Sequence, residues 1–337
     1  MQGDRITLAH GDGGRATHQL IHELFQPLLR NPGLERAEDS TVLPWPEAGG
    51  RVAVTTDTFV VHPIFFPGGD LGRLAVCGTV NDLAVAGAKP LWLTAGFVLE
   101  EGYPLADLRR LVASMAEAAR QAGVWVVAGD TKVVGRGQVD GCFINTAGVG
   151  LVPPGREMGA QAIRPGHVIL ISGGIAEHGV AVLSARAGLS FETPVVSDVA
   201  PLNGLATAVL DAAPGIACMR DPTRGGLATA LADLAAASGC DMVVEEEAIP
   251  IQPAVMGACE MLGVDPLYLA CEGRALVFCP EEEAEAALAA MRARPEGAGA
   301  RIIGRVTGPG GRAFLRTLAG GTRRLEMLEG ENLPRIC

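Results

Sequence analysis

Residues 51–56 (RVAVTT) alternate apolar and polar side chains, the period of a half-buried strand, and the strand is expected to end at Asp57. After the GGD of 68–70 the period lengthens to three and four. That predicts a helix from about Leu71 to Ala86, stopped by Gly87 and Pro90. LADLRRLVASMAEAARQAG (105–123) reads as an amphipathic helix closed by glycine. VWVVAGDTK (124–132) reads as a strand running into a polar turn, and CFINTAGVGLV (142–152) as another strand. PPGREMGAQAIRPG (153–166), rich in proline and glycine, marks a boundary.

A second unit opens with HVILISGG (167–174), a strand into a Gly-Gly turn, and the helix AEHGVAVLSARAG (176–188). DPTRGGLATALADLAAASG (221–239) sets Leu227, Ala230, Leu231, Leu234 and Ala235 on one helical face. Strands 274–279 and 301–306 flank a helix over 281–294, and 312–328 reads as a hairpin. The whole is an α/β (α+β) chain of mixed sheets packed with helices. Its expected parts are an N-terminal extension with a Gly-rich segment (1–40), two α/β domains (41–155 and 156–326) and a flexible, mobile tail (327–337).

Composition narrows the function. A net charge of -11 argues against a broad nucleic-acid-binding surface. No apolar run approaches the roughly 20 residues that cross a bilayer, and the first residues lack the layout of a secretory signal, so a cytoplasmic protein is expected. The 8 cysteines include no C-x-x-C pair, which argues against a zinc ribbon or a disulfide framework. Lysine occurs only as Lys89 and Lys132, and lysine, unlike arginine, can lose its proton.

Four features carry possible chemistry. Asp57 at a strand end, Asp130 in the GDTK turn, Asp221 opening DPTRGG, and Asn81-Asp82 inside an apolar helix together suit a magnesium–nucleotide site; capping and turn chemistry is the plainer alternative. Glycines in HGDGGRAT (10–17), SGGIAEHG (172–179) and DPTRGG (221–226) allow backbone N–H groups to approach phosphate, although neither a P-loop nor a dinucleotide fingerprint is present. Lys132 and Glu272 could transfer protons at the mouth of a site, or form an ordinary ion pair. Cys337, the last residue printed, is either a frayed end or a carrier.

FFPGGDLGRLAVCGTVNDLAVAGAKP, VVAGDTKVV, MRDPTRGGLA, DPLYLACEG and the closing LPRIC together resemble the HypE family, from the DGG near the start to Cys337. The resemblance implies the two-domain fold shared with aminoimidazole ribonucleotide synthetase, a homodimer joined through its N-terminal domains, and ATP with Mg²⁺ between the domains. It implies that the terminal cysteine receives a carboxamide from the carbamoyltransferase HypF. ATP-dependent dehydration would then give a thiocyanate, and the cyanide would pass to iron on a HypC–HypD complex for nickel–iron hydrogenase maturation.

The site residues implied are Cys337, Glu272 and Lys132 as catalytic groups, and Asp57, Asp82, Asp130 and Asp221 for metal. Asp12, Gly13, Gly14, Asp39, Asn81, Thr131, Gly173, Gly174, Arg224 and Gly225 would bind ATP. Cys271 departs from the asparagine expected before Glu272-Gly273. A small-substrate synthetase of the same fold is the alternative enzyme, and a non-catalytic scaffold with a docking tail the alternative of another class.

Overall fold

The computed structural model describes residues 4–10, 15–31, 49–189, 195–327 and 336–337. Near the start, α1 (Arg15–Leu20) and α2 (Gln26–Leu28) are joined by one wide helical turn over Ile21–Phe25. β1 (Arg51–Phe59) follows, then a short ribbon of β2 (Phe65–Phe66) and β3 (Gly69–Asp70), and α3 (Leu71–Val85). β4 (Lys89–Glu100), α4 (Leu105–Ala122), β5 (Trp125–Val134) and β6 (Cys142–Val152) complete the first unit. Its sheet has the order β1-β6-β4-β5, with β4 and β5 parallel and the other pairs antiparallel.

Alternation decides which side chains reach the core of this sheet. Leu93, Ala95, Phe97 and Leu99 of β4 face a buried core shared with α3 and α4. α3 starts where the Asp70 side chain accepts the Arg73 N–H, at 3.0 Å, and α4 ends on left-handed Gly123. The outer face is different. Register lines up Val54, Val149, Trp92 and Trp125 in one apolar row across all four strands. Val54 is 69% exposed and Trp125 47%.

The second unit runs β7 (Val168–Ile171), α5 (Glu177–Arg186), α6 (Asn203–Ala212), β8 (Cys218–Arg220), α7 (Gly226–Ser238), β9 (Cys240–Glu245) and α8 (Pro253–Leu262). It closes with β10 (Leu276–Cys279), α9 (Ala284–Arg292), β11 (Arg301–Pro309), β12 (Ala313–Arg316) and β13 (Thr322–Leu325). The sheet order is β13-β12-β9-β11-β7-β10-β8. Helices cover both faces, so β7 is apolar throughout: Ile169 and Ile171 enter one core, Val168 and Leu170 the other.

One sequence expectation needs correction. GDTK is no turn: Gly129–Lys132 lie inside β5, paired residue by residue with Ala95–Val98. Gly129 and Asp130 look like punctuation, but as an edge strand with one open face β5 tolerates both. Pro90 lies beyond the helix, which ends at Val85 as Gly87 and Pro90 led one to expect. It sits in β4 beside a register shift between Pro90 and Trp92, so its missing N–H falls at a bulge. Among the described residues no helix is long and apolar enough to cross a membrane.

Candidate active site

Between the two units lies a cleft of about 800 Å³. Thr55 of β1 and Asp82 of α3 line one wall, and Asp221, Thr223, Arg224 and Asp233 the other. Thr55 donates from Oγ1 to Asp82 Oδ2 at 2.7 Å, which explains how α3 holds an acid among apolar residues. Asp57, on the same face of β1 as Thr55, has Arg224 at 3.8 Å. Burial raises the pKa of Asp57, Asp82 and Asp221, and for Asp82 and Asp221 the neighbouring carboxylates add to the shift. Asp221 is pushed up to about 7. Such mutual repulsion is relieved by a cation. Among the described residues no three acidic, histidine or cysteine side chains suffice to hold one alone.

α7 opens at this wall. Gly225 and Gly226 both have positive φ, at 76° and 61°. A Cβ on Gly226 would stand 2.6 Å from the carbonyl oxygens of Leu267 and Leu269, so the turn requires glycine. The helix N-terminus therefore faces the cleft beside Arg224, an arrangement suited to phosphate.

Glu272 is buried behind the acids, and its Oε1 has no hydrogen-bond partner. Burial, then Asp221, Asp198 and Asp57, push its carboxyl well above the usual range, while a hydrogen bond with the Cys337 thiol draws it back. The C-terminus is thus docked in the site. Ile336 is buried, and its carbonyl lies 2.8 Å from Nε2 of His178. Burial and Glu272 push the Cys337 thiol well above its ordinary value, so the docked cysteine is a neutral thiol.

The remaining expected residues lie elsewhere. Asp130 and Lys132 project from the outer face of the first sheet: Lys132 pairs with outward Val98, while inward Phe97 pairs with Thr131, which is buried. The structure therefore does not bring Lys132 to Glu272 within one chain. Asn81 is buried, and both of its amide N–H groups are engaged. Its Nδ2 donates to the carbonyls of Ala200 (3.1 Å) and Glu272 (3.2 Å), and its Oδ1 accepts the Leu202 N–H at 2.7 Å. Gly174 lines a second cavity of about 680 Å³ with Glu177, Arg292 and Arg301, and Gly173 packs on Arg274. Asp12, Gly13, Gly14 and Asp39 lie outside the described residues.

Residues missed in the sequence build the floor of the site. Asp198 accepts the N–H groups of Glu272 and Gly273, both at 3.2 Å, and has the Arg274 guanidinium at 3.5 Å. Arg274 also pairs with buried Glu177. A Cβ on Gly273 would stand 1.8 Å from the Asp198 carbonyl oxygen, so the Glu272 loop can lie this close only with glycine there. Cys271 uses its sulfur to accept the N–H of Ala176, a residue at φ 70°, at 3.3 Å. Nothing in the local pattern of Asp198 or Arg274 separates them from surface charges.

The comparisons define the class first. Residues 37–152 match AIR synthase related protein, N-terminal domain, and residues 164–316 its C-terminal domain. Within that class, the carbamoyl dehydratase HypE of Rhodobacter capsulatus is 55% identical over 100% of this chain and 99% of its own. A solved hydrogenase maturation protein HypE in complex with ATP superposes with a TM-score of 0.95 at 47% identity, covering 98% of this chain and 99% of the other. A HypE–HypF complex matches with a TM-score of 0.80 at 46% identity, over 92% and 99%. The chain belongs to the HypE family of carbamoyl dehydratases, enzymes of hydrogenase maturation.

Proposed function

We propose that this chain uses ATP to dehydrate a carboxamide carried on the Cys337 sulfur to a thiocyanate, the source of cyanide for the iron of nickel–iron hydrogenase. The docked C-terminus carries the reading: Cys337 hydrogen-bonds Glu272 at the inner end of an acidic cleft. The domain units of the reading are 41–155 and 156–326, with 327–337 as the carrier tail.

ATP would lie in the cleft with its phosphates toward Arg224, Gly225 and the start of α7. The carboxylates of Asp57, Asp82 and Asp221, raised by burial and, for the latter two, by neighbouring carboxylates, would hold Mg²⁺, with phosphate oxygens completing its ligands. Bound there, the ion would neutralise phosphate and carboxylate charge. The carboxamide oxygen attacks the γ-phosphorus and ADP departs. That oxygen then leaves as phosphate, one N–H proton passing to Glu272 and the other leaving with the phosphate, so the carboxamide loses the water that ATP hydrolysis consumes. Glu272 stands beside the sulfur and takes a proton from the nitrogen. Burial is the larger cause of its raised value, so a cation on the neighbouring acids would lower it only in part.

Lys132 and Asp130 would join from a second copy. The apolar row Val54, Val149, Trp92 and Trp125, exposed at Val54 and Trp125, supports a homodimer through the outer sheet face, and Val54 also lines the cleft. Because a docked thiol is neutral and screened, loading requires the tail to leave. We assign loading to HypF, for which a relative's complex is solved, and delivery to HypC–HypD. The free cysteines, seven of them buried, suit the reducing cytoplasm.

Cys337→Ala tests the reading against a small-substrate synthetase. Loss of all HypF-dependent ATP turnover is expected. Retained turnover on a free small substrate would move this chain to the alternative.

A further inference from the structure

We propose that His178 is the latch of the carrier tail, a positioning residue that grips the main chain of Ile336 and so sets Cys337 against Glu272. This deepens the carrier reading and rests on it. His178 lies in the first turn of α5 and is fully buried. Its Nε2 is 2.8 Å from the Ile336 carbonyl, and its Nδ1 is 2.8 Å from Ser197 Oγ.

The surrounding hydrogen bonds determine the tautomer. Ser197 Oγ accepts the Val199 N–H at 3.1 Å, so its own proton is free for His178 Nδ1. Nδ1 is then the acceptor, and the remaining ring proton sits on Nε2, pointing at Ile336. Burial lowers the imidazole pKa, against the pull of Asp198, and keeps the ring neutral. Phe66 meets the ring edge-on at 5.3 Å between centroids. The Ile336 side chain is buried in the core that holds Phe66, Val182 and Val199.

Adjacent residues reference both partners of the reaction. Ser197 orients the latch, while Asp198 holds the amides of Glu272 and Gly273. The segment 195–200 therefore fixes the spacing between the delivered sulfur and the base. The grip is on a carbonyl one residue before Cys337, so it works alike for thiol, carboxamide and thiocyanate. One neutral hydrogen bond and one apolar side chain also leave the tail releasable, as loading demands.

The test is the alkylation rate of Cys337 by iodoacetamide in the full-length protein, with and without ATP, beside single-turnover dehydration of carboxamide-loaded protein. His178→Leu is expected to alkylate about tenfold faster and dehydrate about tenfold slower, with ATP affinity unchanged. His178→Gln, whose amide N–H₂ replaces Nε2, should recover most of both. Ser197→Ala should shift both in the direction of His178→Leu, by less. A His178→Leu protein alkylated at the wild-type rate, or His178→Gln as fast as His178→Leu, overturns the latch. If His178→Leu does not fold, Ser197→Ala decides, and an unchanged rate there overturns it. Protection of Cys337 without any thiocyanate would instead overturn the reaction and leave the latch standing.

Discussion

The Asn81 side chain holds the main-chain carbonyl of Glu272 at 3.2 Å, fastening the helix that carries Asp82 to the loop that carries the base. The same amide ties down Ala200 and Leu202, so the two units meet at one fully satisfied side chain. Asn81→Ala would leave the Ala200 carbonyl and the Leu202 N–H without partners and the Glu272 carbonyl with only the Ala200 N–H at 3.4 Å, at a cost of about 2 to 3 kcal/mol. Urea unfolding should show that loss together with slower dehydration. Wild-type stability in this variant would contradict the bridging role.

Asp221 makes stability depend on pH. Its pKa rises from 3.8 when unfolded to about 7 in the fold, by burial and by Asp82 and Asp57. A raised value means that its stabilising contribution is complete below the unfolded value and is lost as pH rises through about 7. Nucleotide-free Asp221→Asn should therefore match the wild type only below about pH 4 and exceed it by about 4 kcal/mol near pH 8. Stability curves that stay parallel across that range would contradict the burial of this charge.

Asp82→Asn keeps the shape of the site and can still pair with Thr55. If Asp82 helps neutralise phosphate charge, its loss should cut ATP-dependent dehydration by about a hundredfold or more. A scaffold protein would tolerate the change, so unaltered function in hydrogenase maturation would favour that reading.

Lys132 gives a test of the second copy. Lys132→Ala and Glu272→Gln should each be inactive alone. Mixed subunits should regain about a quarter of wild-type activity if Lys132 acts across a two-fold interface, since half the dimers are mixed and each has one intact site. Failure of the mixture, with subunit exchange confirmed, would remove Lys132 from the partner's site.

Elements with a clean period were legible in the sequence: β1, α4, β6 and the β12–β13 hairpin lie where alternation or helical spacing puts them. β5 was misread at Gly129, where edge exposure overrides local propensity. Of the candidate site residues, Asp82, Asp221 and Arg224 line one cleft, with Asp57 3.8 Å from Arg224. The bridging contacts of Asn81 were not legible, because only the tertiary structure brings Ala200, Leu202 and Glu272 to its amide. His178 gave no signal, since a histidine within an apolar helix reads as core and its partner Ile336 lies 158 residues away.

The central claim is that Cys337 carries the substrate, and intact mass of the C-terminal peptide tests it most directly. The protein is incubated with HypF and carbamoyl phosphate, and ATP is then added. The account predicts gain of one carboxamide on Cys337, followed by ATP-dependent loss of one water. A Cys337 that stays unmodified beside a demonstrably active carbamoyltransferase would contradict it.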